Sequence, residues 1–377
     1  MPSLLPEVDP EGLLEYSVVY TDRSVNHMSN RFQNSMREIS RILKKAYNAV
    51  SAIIVPGSGT FGMEAVARQF AGGKRCLVIR NGLFSFRWSQ ILEMGNIPSS
   101  IIVLMARRTS DGPESPFVPV PAEEAAAAIK NERIEVVFAP HVETSSGLLL
   151  PDDYIKTLAD AVHSVGGLFV LDCVASGAIW VDMAALGVDV LITAPQKGWS
   201  GPPCCAMVCL GKEARVQIGT TKSSSFACDL KKWLEIMETY EQGKYAYHAT
   251  PPTDALIALS KVMAEMESFG FEKAKDAQQE LGGRIRTLMV RKGFPSVAAK
   301  SFEAPGVVVS YTKDPGIQSG KKFLDQGMQV ASGVPLKCDE PADFQTFRIG
   351  LFGLDKIGNI ERTISIFEKT LDIVINL

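Results

Sequence analysis

The sequence has little net charge, few histidines and no long apolar run. Its 39 lysines and arginines are balanced by 42 aspartates and glutamates, which leaves a formal charge of −3. This balance gives no electrostatic case for nucleic acid or an anionic membrane as a partner. No apolar run approaches the ~20 residues of a membrane span, and the first residues lack the basic and apolar regions of a signal peptide. We therefore expect a cytoplasmic protein that binds neither nucleic acid nor membrane.

The seven cysteines show no metal-binding pattern. There is no CxxC pair and no Cys/His cluster with the spacing of metal ligands. Most of the cysteines lie in or beside apolar runs, and their number is odd. We expect buried, reduced thiols and no metal site.

Short apolar runs alternate with helix-like segments between about residues 50 and 210. Continuous valine, isoleucine and leucine runs indicate strands buried on both faces, as in a parallel sheet, and the alternation is typical of a doubly wound α/β domain. The predicted strands are 52–55, 76–79, 101–104, 135–139, 168–171, 188–192 and 206–210, and the helices between them are 61–69, 85–93, 122–130 and 152–164.

The pattern changes after residue 211. Long helices are predicted over 229–240 and 252–292, followed by an apolar run at 306–311 and a helix near 317–326. Short strands near 328–331 and 347–350 and a closing helix from about 356 to 375 complete the chain. This α+β pattern predicts a smaller C-terminal lobe, with a boundary near 265–275.

The loop PGSGT at 56–60 joins a predicted strand to a predicted helix. Its glycines permit close backbone approach, and the helix begins with free N–H groups, so phosphate could bind there. The spacing of Gly57, Gly59 and Gly62 also fits a dinucleotide fingerprint, but the next strand does not end on the acid that would bind a ribose. An ordinary glycine-rich turn capped by serine or threonine also explains the loop.

Two charged residues follow neighbouring predicted strands. The strand at 168–171 ends on Asp172, and the strand at 188–192 leads into a Gly/Pro-rich loop that contains Lys197. Since the carboxyl ends of parallel strands meet at one edge, these residues are expected to lie close together. Buried charges need partners. A structural Asp–Lys salt bridge would satisfy both, and so would a cofactor that carries a cationic ring nitrogen and an aldehyde.

From about residue 50 to 260 the chain resembles the class V aminotransferase group of fold-type I pyridoxal-phosphate (PLP) enzymes. It is most similar to the alanine–glyoxylate, serine–pyruvate and 2-aminoethylphosphonate–pyruvate aminotransferases. The motifs that carry the resemblance, in the family's order, are SGT at 58–60, NGLF at 81–84, HVETSSG at 141–147, LDCVAS at 171–176, PQKGWSGPP at 195–203, YHAT at 247–250 and FRIGLFG at 347–353.

The resemblance implies an α/β protein of the PLP-dependent transferase fold type I, with a mainly parallel sheet in the large domain and a smaller α+β C-terminal domain. Residues 1–30 would line the active site, 31–268 would form the large PLP-binding domain, and 269–377 would form the small domain. The family usually begins with a Gly-Pro-Gly-Pro-like segment, where this chain reads EVDPEG at 7–12. The substrate pocket is therefore expected to differ from that of the family.

The resemblance also implies the catalytic residues. Lys197 would hold pyridoxal 5′-phosphate as a Schiff base and then act as general base. Asp172 would keep the pyridine nitrogen protonated. Arg348 would bind the substrate α-carboxylate through a bidentate fork.

The implied cofactor contacts include residues of both subunits of a homodimer, with the active sites at the subunit interface. Ser58, Gly59 and Thr60 would hold the phosphate, with Gln196 beside it; Phe84 would stack on the ring; Thr144 would hydrogen-bond the phenolic oxygen; and Tyr247 and Thr250 would reach the phosphate of the partner subunit.

The activity implied is a ping-pong aminotransferase that moves an amino group from a small amino acid, such as alanine or serine, to pyruvate or glyoxylate. One alternative is a PLP-dependent lyase or a cysteine desulfurase-like enzyme on the same scaffold. A desulfurase needs a reactive cysteine near the substrate, and Cys338 is the candidate. A further alternative is a PLP-fold binding module, against which Lys197, Asp172 and Arg348 argue.

Overall fold

The computed structural model describes residues 3–377. The helices are α1 (Asn30–Tyr47), α2 (Gly59–Phe70), α3 (Leu83–Met94), α4 (Ala122–Asn131), α5 (Asp152–His163), α6 (Met183–Leu186), α7 (Lys212–Gln217), α8 (Leu230–Glu241), α9 (Thr253–Phe269), α10 (Phe271–Arg291), α11 (Pro315–Gln318), α12 (Lys321–Leu324), α13 (Leu354–Ile357) and α14 (Ile360–Ile375). The strands are β1 (Ser51–Pro56), β2 (Arg75–Arg80), β3 (Ser100–Met105), β4 (Arg107–Arg108), β5 (Phe117–Val118), β6 (Val136–Pro140), β7 (Val142–Glu143), β8 (Leu148–Leu149), β9 (Leu168–Asp172), β10 (Val190–Thr193), β11 (Cys205–Leu210), β12 (Val307–Tyr311), β13 (Ala331–Ser332) and β14 (Thr346–Gly350).

Seven strands form the central sheet, in the order β1-β11-β10-β9-β6-β2-β3. The pairs β10–β9, β9–β6, β6–β2 and β2–β3 are parallel, whereas β11 runs antiparallel to both of its neighbours. Every residue of β6, β9, β10 and β11 is buried, which explains their unbroken apolar runs. The predicted strands and the mainly parallel α/β sheet are therefore confirmed.

Helix α1 was not among the predicted elements. Phe32, Met36 and Leu43 are buried on one face of it, and the helix packs against α8 and α9. The Ser29 side chain accepts a hydrogen bond from the N–H group of Phe32, and Asn48 ends the helix with a left-handed backbone at φ 51°. Both caps and the apolar spacing could be read from the sequence.

The C-terminal region contains a three-stranded antiparallel sheet, in the order β12-β14-β13. The prediction of one continuous helix near 317–326 is wrong. Gly320 adopts φ +77° and separates two short helices, α11 and α12. The strand predicted near 328–331 is shorter in the structure and consists of β13. The predicted closing helix is divided into α13 and α14. The Asn359 side chain caps α14 by accepting a hydrogen bond from the N–H group of Arg362.

Three further observations bear on the sequence-based expectations. All seven cysteines are buried and none forms a disulfide, as predicted. Of the helices within residues 3–377, none combines the length and the apolar character that crossing a membrane would require. Gly270 separates α9 from α10 with a backbone φ of +99°, and the domain boundary predicted beside it stays a prediction.

Candidate active site

The carboxyl ends of the parallel strands bring most of the predicted site residues together. A cavity at this edge of the sheet lies between the loops that follow β1, β2, β6, β9 and β10. This is where ligands bind in open α/β sheets. The predicted residues that line it are Ser58, Gly59, Thr60, Phe84, Thr144, Asp172, Gln196 and Lys197.

Asp172 is a buried carboxylate at the end of β9. Its Oδ1 atom accepts a hydrogen bond of 2.9 Å from the N–H group of Val174. Burial raises the pKa of Asp172 to about 6, a rise that the Val174 N–H group opposes and the nearby Glu143 carboxylate increases. Within residues 3–377, no ion pair joins Asp172 to Lys197. The structural salt bridge considered above is therefore wrong.

The loop that carries Lys197 is anchored in the core immediately after the lysine. Trp199 is fully buried, and its ring centroid lies 4.7 Å from that of Trp180. A Cβ atom at Gly198 would lie 2.1 Å from the carbonyl oxygen of Gly177, so only glycine permits this close backbone approach. Lys197 therefore extends into the cavity from a loop whose next two residues are fixed by packing.

Arg348 lies beside the cavity rather than in its lining. Its guanidinium carbon is 5.5 Å from the ring centroid of Phe84, and its Nε atom donates a 2.8 Å hydrogen bond to the carbonyl oxygen of Ser332. Burial lowers the pKa of Lys197, and the positive charges of Arg348 and Arg87 lower it further. A lysine in this environment gives up its proton more readily, as a general base must.

The glycine-rich loop leads into α2 with its polar groups available. Ser58 precedes the helix, and its side chain forms no capping hydrogen bond. The hydroxyl group and the first N–H groups of α2 can therefore bind an anion. Gly57 has a φ of +124°, and a Cβ atom at Gly62 would lie 2.4 Å from the Cβ atom of Ala206. Backbone conformation and helix–sheet packing thus explain the glycine spacing without a dinucleotide.

Glu143 is a site residue that the sequence analysis missed. It is fully buried, and its carboxylate accepts hydrogen bonds from the N–H groups of Phe84 (3.2 Å), Ser85 (2.8 Å) and Ser145 (3.0 Å). It also accepts from the hydroxyl groups of both serines. A carboxylate at the N-terminus of α3 stabilises the helix and fixes the orientation of Phe84. The HVETSSG motif contained this residue, but its partners lie on another element.

Arg87 is a second missed residue, and it lines the cavity. Its Nη1 atom donates a 3.2 Å hydrogen bond to Oγ1 of Thr60, and its guanidinium carbon lies 4.9 Å from the ring centroid of Phe84. The sequence contained a signal for Arg87, because it lies three residues after Phe84 on α3, and residues three apart on a helix share a face.

Tyr247 and Thr250 do not line the cavity of their own subunit. Their hydroxyl oxygens lie 2.9 Å apart and form a hydrogen bond to each other, and both residues are exposed. Their predicted contact with the phosphate of a partner subunit stays a prediction.

Cys338 does not have the properties of a desulfurase cysteine. It is buried, and its Sγ atom donates to the carbonyl oxygen of Arg80 at 3.4 Å. Burial raises the pKa of its thiol to about 12. Reactive cysteines are accessible and readily form a thiolate, so Cys338 is a structural residue and the proposed reactive role is wrong.

Comparisons with known proteins agree with this geometry. The family model described as aminotransferase class V matches residues 11–343. The chain is 27% identical to the soluble hydrogenase 42 kDa subunit of Anabaena cylindrica, over 84% of this chain and 78% of that protein. It is 26% identical to 2-aminoethylphosphonate–pyruvate transaminase of Vibrio vulnificus, over 87% and 86%. The crystal structure of alanine–glyoxylate aminotransferase from Nostoc sp. superposes with a TM-score of 0.77 at 20% identity, covering 92% and 89%. The fold is therefore that of the PLP-dependent aminotransferases, and the chain belongs to the class V aminotransferase family, whose cofactor is pyridoxal 5′-phosphate.

Proposed function

We propose that the cavity binds PLP covalently through the Nζ amine of Lys197 and that the protein is a ping-pong aminotransferase. The observation that carries the proposal is the buried carboxylate of Asp172, which forms no salt bridge within the described residues and faces the same cavity as Lys197. A protonated ring nitrogen would supply the missing positive charge. The aldehyde would meet the lysine amine, and the phosphate would meet the N-terminus of α2.

The remaining lining residues have roles that follow from their chemistry. Hydroxyl and backbone N–H groups suit the phosphate, an aromatic face suits the ring, and a second hydroxyl suits the phenolic oxygen. We assign the phosphate to Ser58, Gly59, Thr60 and Gln196, the ring face to Phe84, and the phenolic oxygen to Thr144.

The proton transfers of the reaction are assigned to residues of this chain. When bound, the cofactor supplies a protonated ring that accepts electrons from a bond to the substrate Cα atom. Asp172 keeps the proton on the ring nitrogen. Lys197 removes the proton from the substrate Cα atom through its Nζ amine, whose pKa burial has lowered. Arg348 orients the substrate by binding its carboxylate.

The substrate class follows from Arg348 and from the relatives. A guanidinium group binds carboxylate and phosphonate groups through two parallel hydrogen bonds. One relative is described as using 2-aminoethylphosphonate and pyruvate, and a structural neighbour as using alanine and glyoxylate. We propose that the donor is a small amino acid, alanine, serine or a similar compound, and that the acceptor is pyruvate or glyoxylate.

We further propose a cytoplasmic homodimer in which Tyr247 and Thr250 complete the phosphate site of the partner subunit. Both side chains are exposed and outside their own cavity, as residues that serve another subunit would be. Seven buried, unpaired thiols suit a reducing compartment. Residues 1–30 would form the active-site segment, of which residues 1 and 2 lie outside the described residues, and residues 31–268 and 269–377 would form the large and the small domain.

A spectroscopic half-reaction tests the proposed activity. The PLP-loaded protein is mixed with single amino acids and aminophosphonates, and the conversion of the cofactor to pyridoxamine phosphate is followed by absorbance. A transaminase converts the cofactor in one turnover and needs pyruvate or glyoxylate to continue. Continuous release of pyruvate or sulfide without an acceptor would identify a lyase instead, and no conversion with any donor would refute the proposal.

A further inference from the structure

The chain segment that contains Arg348 also contacts Lys197, through Phe352 four residues later. The Nζ atom of Lys197 lies 5.4 Å from the ring centroid of Phe352. A cation within about 6 Å of an aromatic centroid is attracted by the electrons of the ring face. Phe352 is half-buried, and its ring packs against Gly306, where a Cβ atom would lie 3.1 Å from ring carbon Cε1.

A hydrogen bond fixes the segment two residues after Phe352. The Oγ atom of Ser200 accepts a 2.9 Å hydrogen bond from the N–H group of Leu354. Ser200 belongs to the lysine loop and has a left-handed backbone at φ 60°. Gly353 has φ +96°, and a Cβ atom there would lie 2.9 Å from the Oγ atom of Ser200. The lysine loop and the segment of Phe352 are thus joined by a hydroxyl–amide bond as well as by the amine–ring contact.

The charged groups around Lys197 determine how much the ring contact affects its protonation. Arg348 approaches from β14 and Arg87 from α3, and both cations disfavour a protonated lysine. Asp172, at the end of β9, is the anion of the same cavity, but it forms no ion pair with Lys197 within the described residues. The ring of Phe352 is therefore a group that favours the ammonium form where its cationic neighbours oppose it.

We propose that Phe352 is a positioning residue that holds the amine of Lys197 against its ring face whenever that amine is protonated and not joined to the cofactor. The contact keeps the lysine in the cavity beside Arg348, where the substrate would lie. The role during turnover rests on the proposed function. The contact in the cofactor-free protein is independent of the proposed function.

The contact is measurable in the cofactor-free protein. Lys197 is labelled with acetic anhydride over a range of pH, and its labelling rate is read by peptide mass spectrometry with the exposed lysines as internal references. Phe352→Met removes the ring but keeps an apolar side chain, and Phe352→Tyr keeps the ring. For the methionine variant we expect the pKa of Lys197 to fall by about 0.5, and its labelling below that pKa to become about threefold faster. The tyrosine variant should match the wild type.

An unchanged or higher pKa in the methionine variant would overturn the proposal. Ser200→Gly tests the hydrogen bond separately, because glycine tolerates the left-handed backbone and lacks the hydroxyl. We expect a fall in the pKa of Lys197 in the same direction; no change would show that Ser200 does not hold the ring. Whether PLP attaches to Lys197 is measured independently on the wild type, so failure of the proposed function is distinguishable from failure of this inference.

Discussion

Replacing Asp172 with asparagine is expected to stabilise the cofactor-free protein at neutral and alkaline pH. Asp172 is 9% exposed, and within the described residues its carboxyl group accepts one hydrogen bond, from the N–H group of Val174. Glu143 adds a negative charge nearby. Burial raises the pKa of Asp172 and Arg87 opposes this rise only in part, so ionising the buried carboxyl group is costly. Asparagine keeps the acceptor oxygen for Val174 and cannot ionise.

The magnitude follows from the raised pKa. Burial raises the pKa of Asp172 from its ordinary 3.8 to about 6, so the folded state binds this proton more tightly than the unfolded chain. The contribution of Asp172 to stability therefore falls as the pH rises from about 4 to about 6 and does not change further above that range. With about 1.4 kcal/mol for each pKa unit, the penalty is of the order of 3 kcal/mol. We expect Asp172→Asn to recover most of it at pH 8 and little at pH 4.

The assay is urea unfolding of both proteins without cofactor at pH 8 and near pH 4. Saturating PLP should reverse the order at pH 8, because a protonated ring nitrogen pairs with the carboxylate and not with the amide. The reasoning would be refuted if the cofactor-free variant were less stable than the wild type at pH 8. A difference independent of pH would also contradict it.

Three other changes test separate parts of the site. Glu143→Gln should lower the free energy of unfolding by about 2–4 kcal/mol in urea, because an amide nitrogen would face a buried N–H donor at the N-terminus of α3; a loss within error would argue against the role of Glu143. Arg348→Lys should reduce kcat/KM for carboxylate donors roughly 10- to 100-fold, because one of two parallel hydrogen bonds is lost, and leave PLP affinity unchanged; weaker PLP binding would place the residue elsewhere. Mixed dimers of Lys197→Ala subunits with subunits carrying Tyr247→Phe and Thr250→Ala should regain activity that neither variant has alone, and no recovery would contradict a shared phosphate site.

The central sheet could be predicted because its strands are buried on both faces. Strands β6, β9 and β10 are continuous apolar stretches of the sequence, so the apolar residues alone predict where they lie along the chain. The antiparallel direction of β11 was not readable, since a fully buried run has the same character in either direction. Near the C-terminus, the left-handed backbone of Gly320 divides the helix predicted near 317–326 into α11 and α12.

The candidate site was predictable where a residue lies at the end of a strand or in the loop after it. Asp172 ends β9 and Lys197 lies in the loop after the neighbouring strand β10, so sheet topology alone brings them to one cavity. Glu143 and Phe352 were missed because their roles depend on contacts with distant elements. The Glu143 carboxylate binds N–H groups 58 and 59 residues earlier in the chain, and Phe352 approaches Lys197 from the C-terminal region.

The most direct test of the account is to identify the residue that holds the cofactor. The PLP-loaded protein is reduced with borohydride, digested, and analysed by peptide mass spectrometry, with Lys197→Ala as the matched control. We expect a pyridoxyl phosphate adduct on Lys197 of the wild type. The alanine variant should give no adduct and should lack the absorbance of the cofactor bound as a Schiff base. An adduct on another lysine, or an alanine variant that retains full activity, would contradict it.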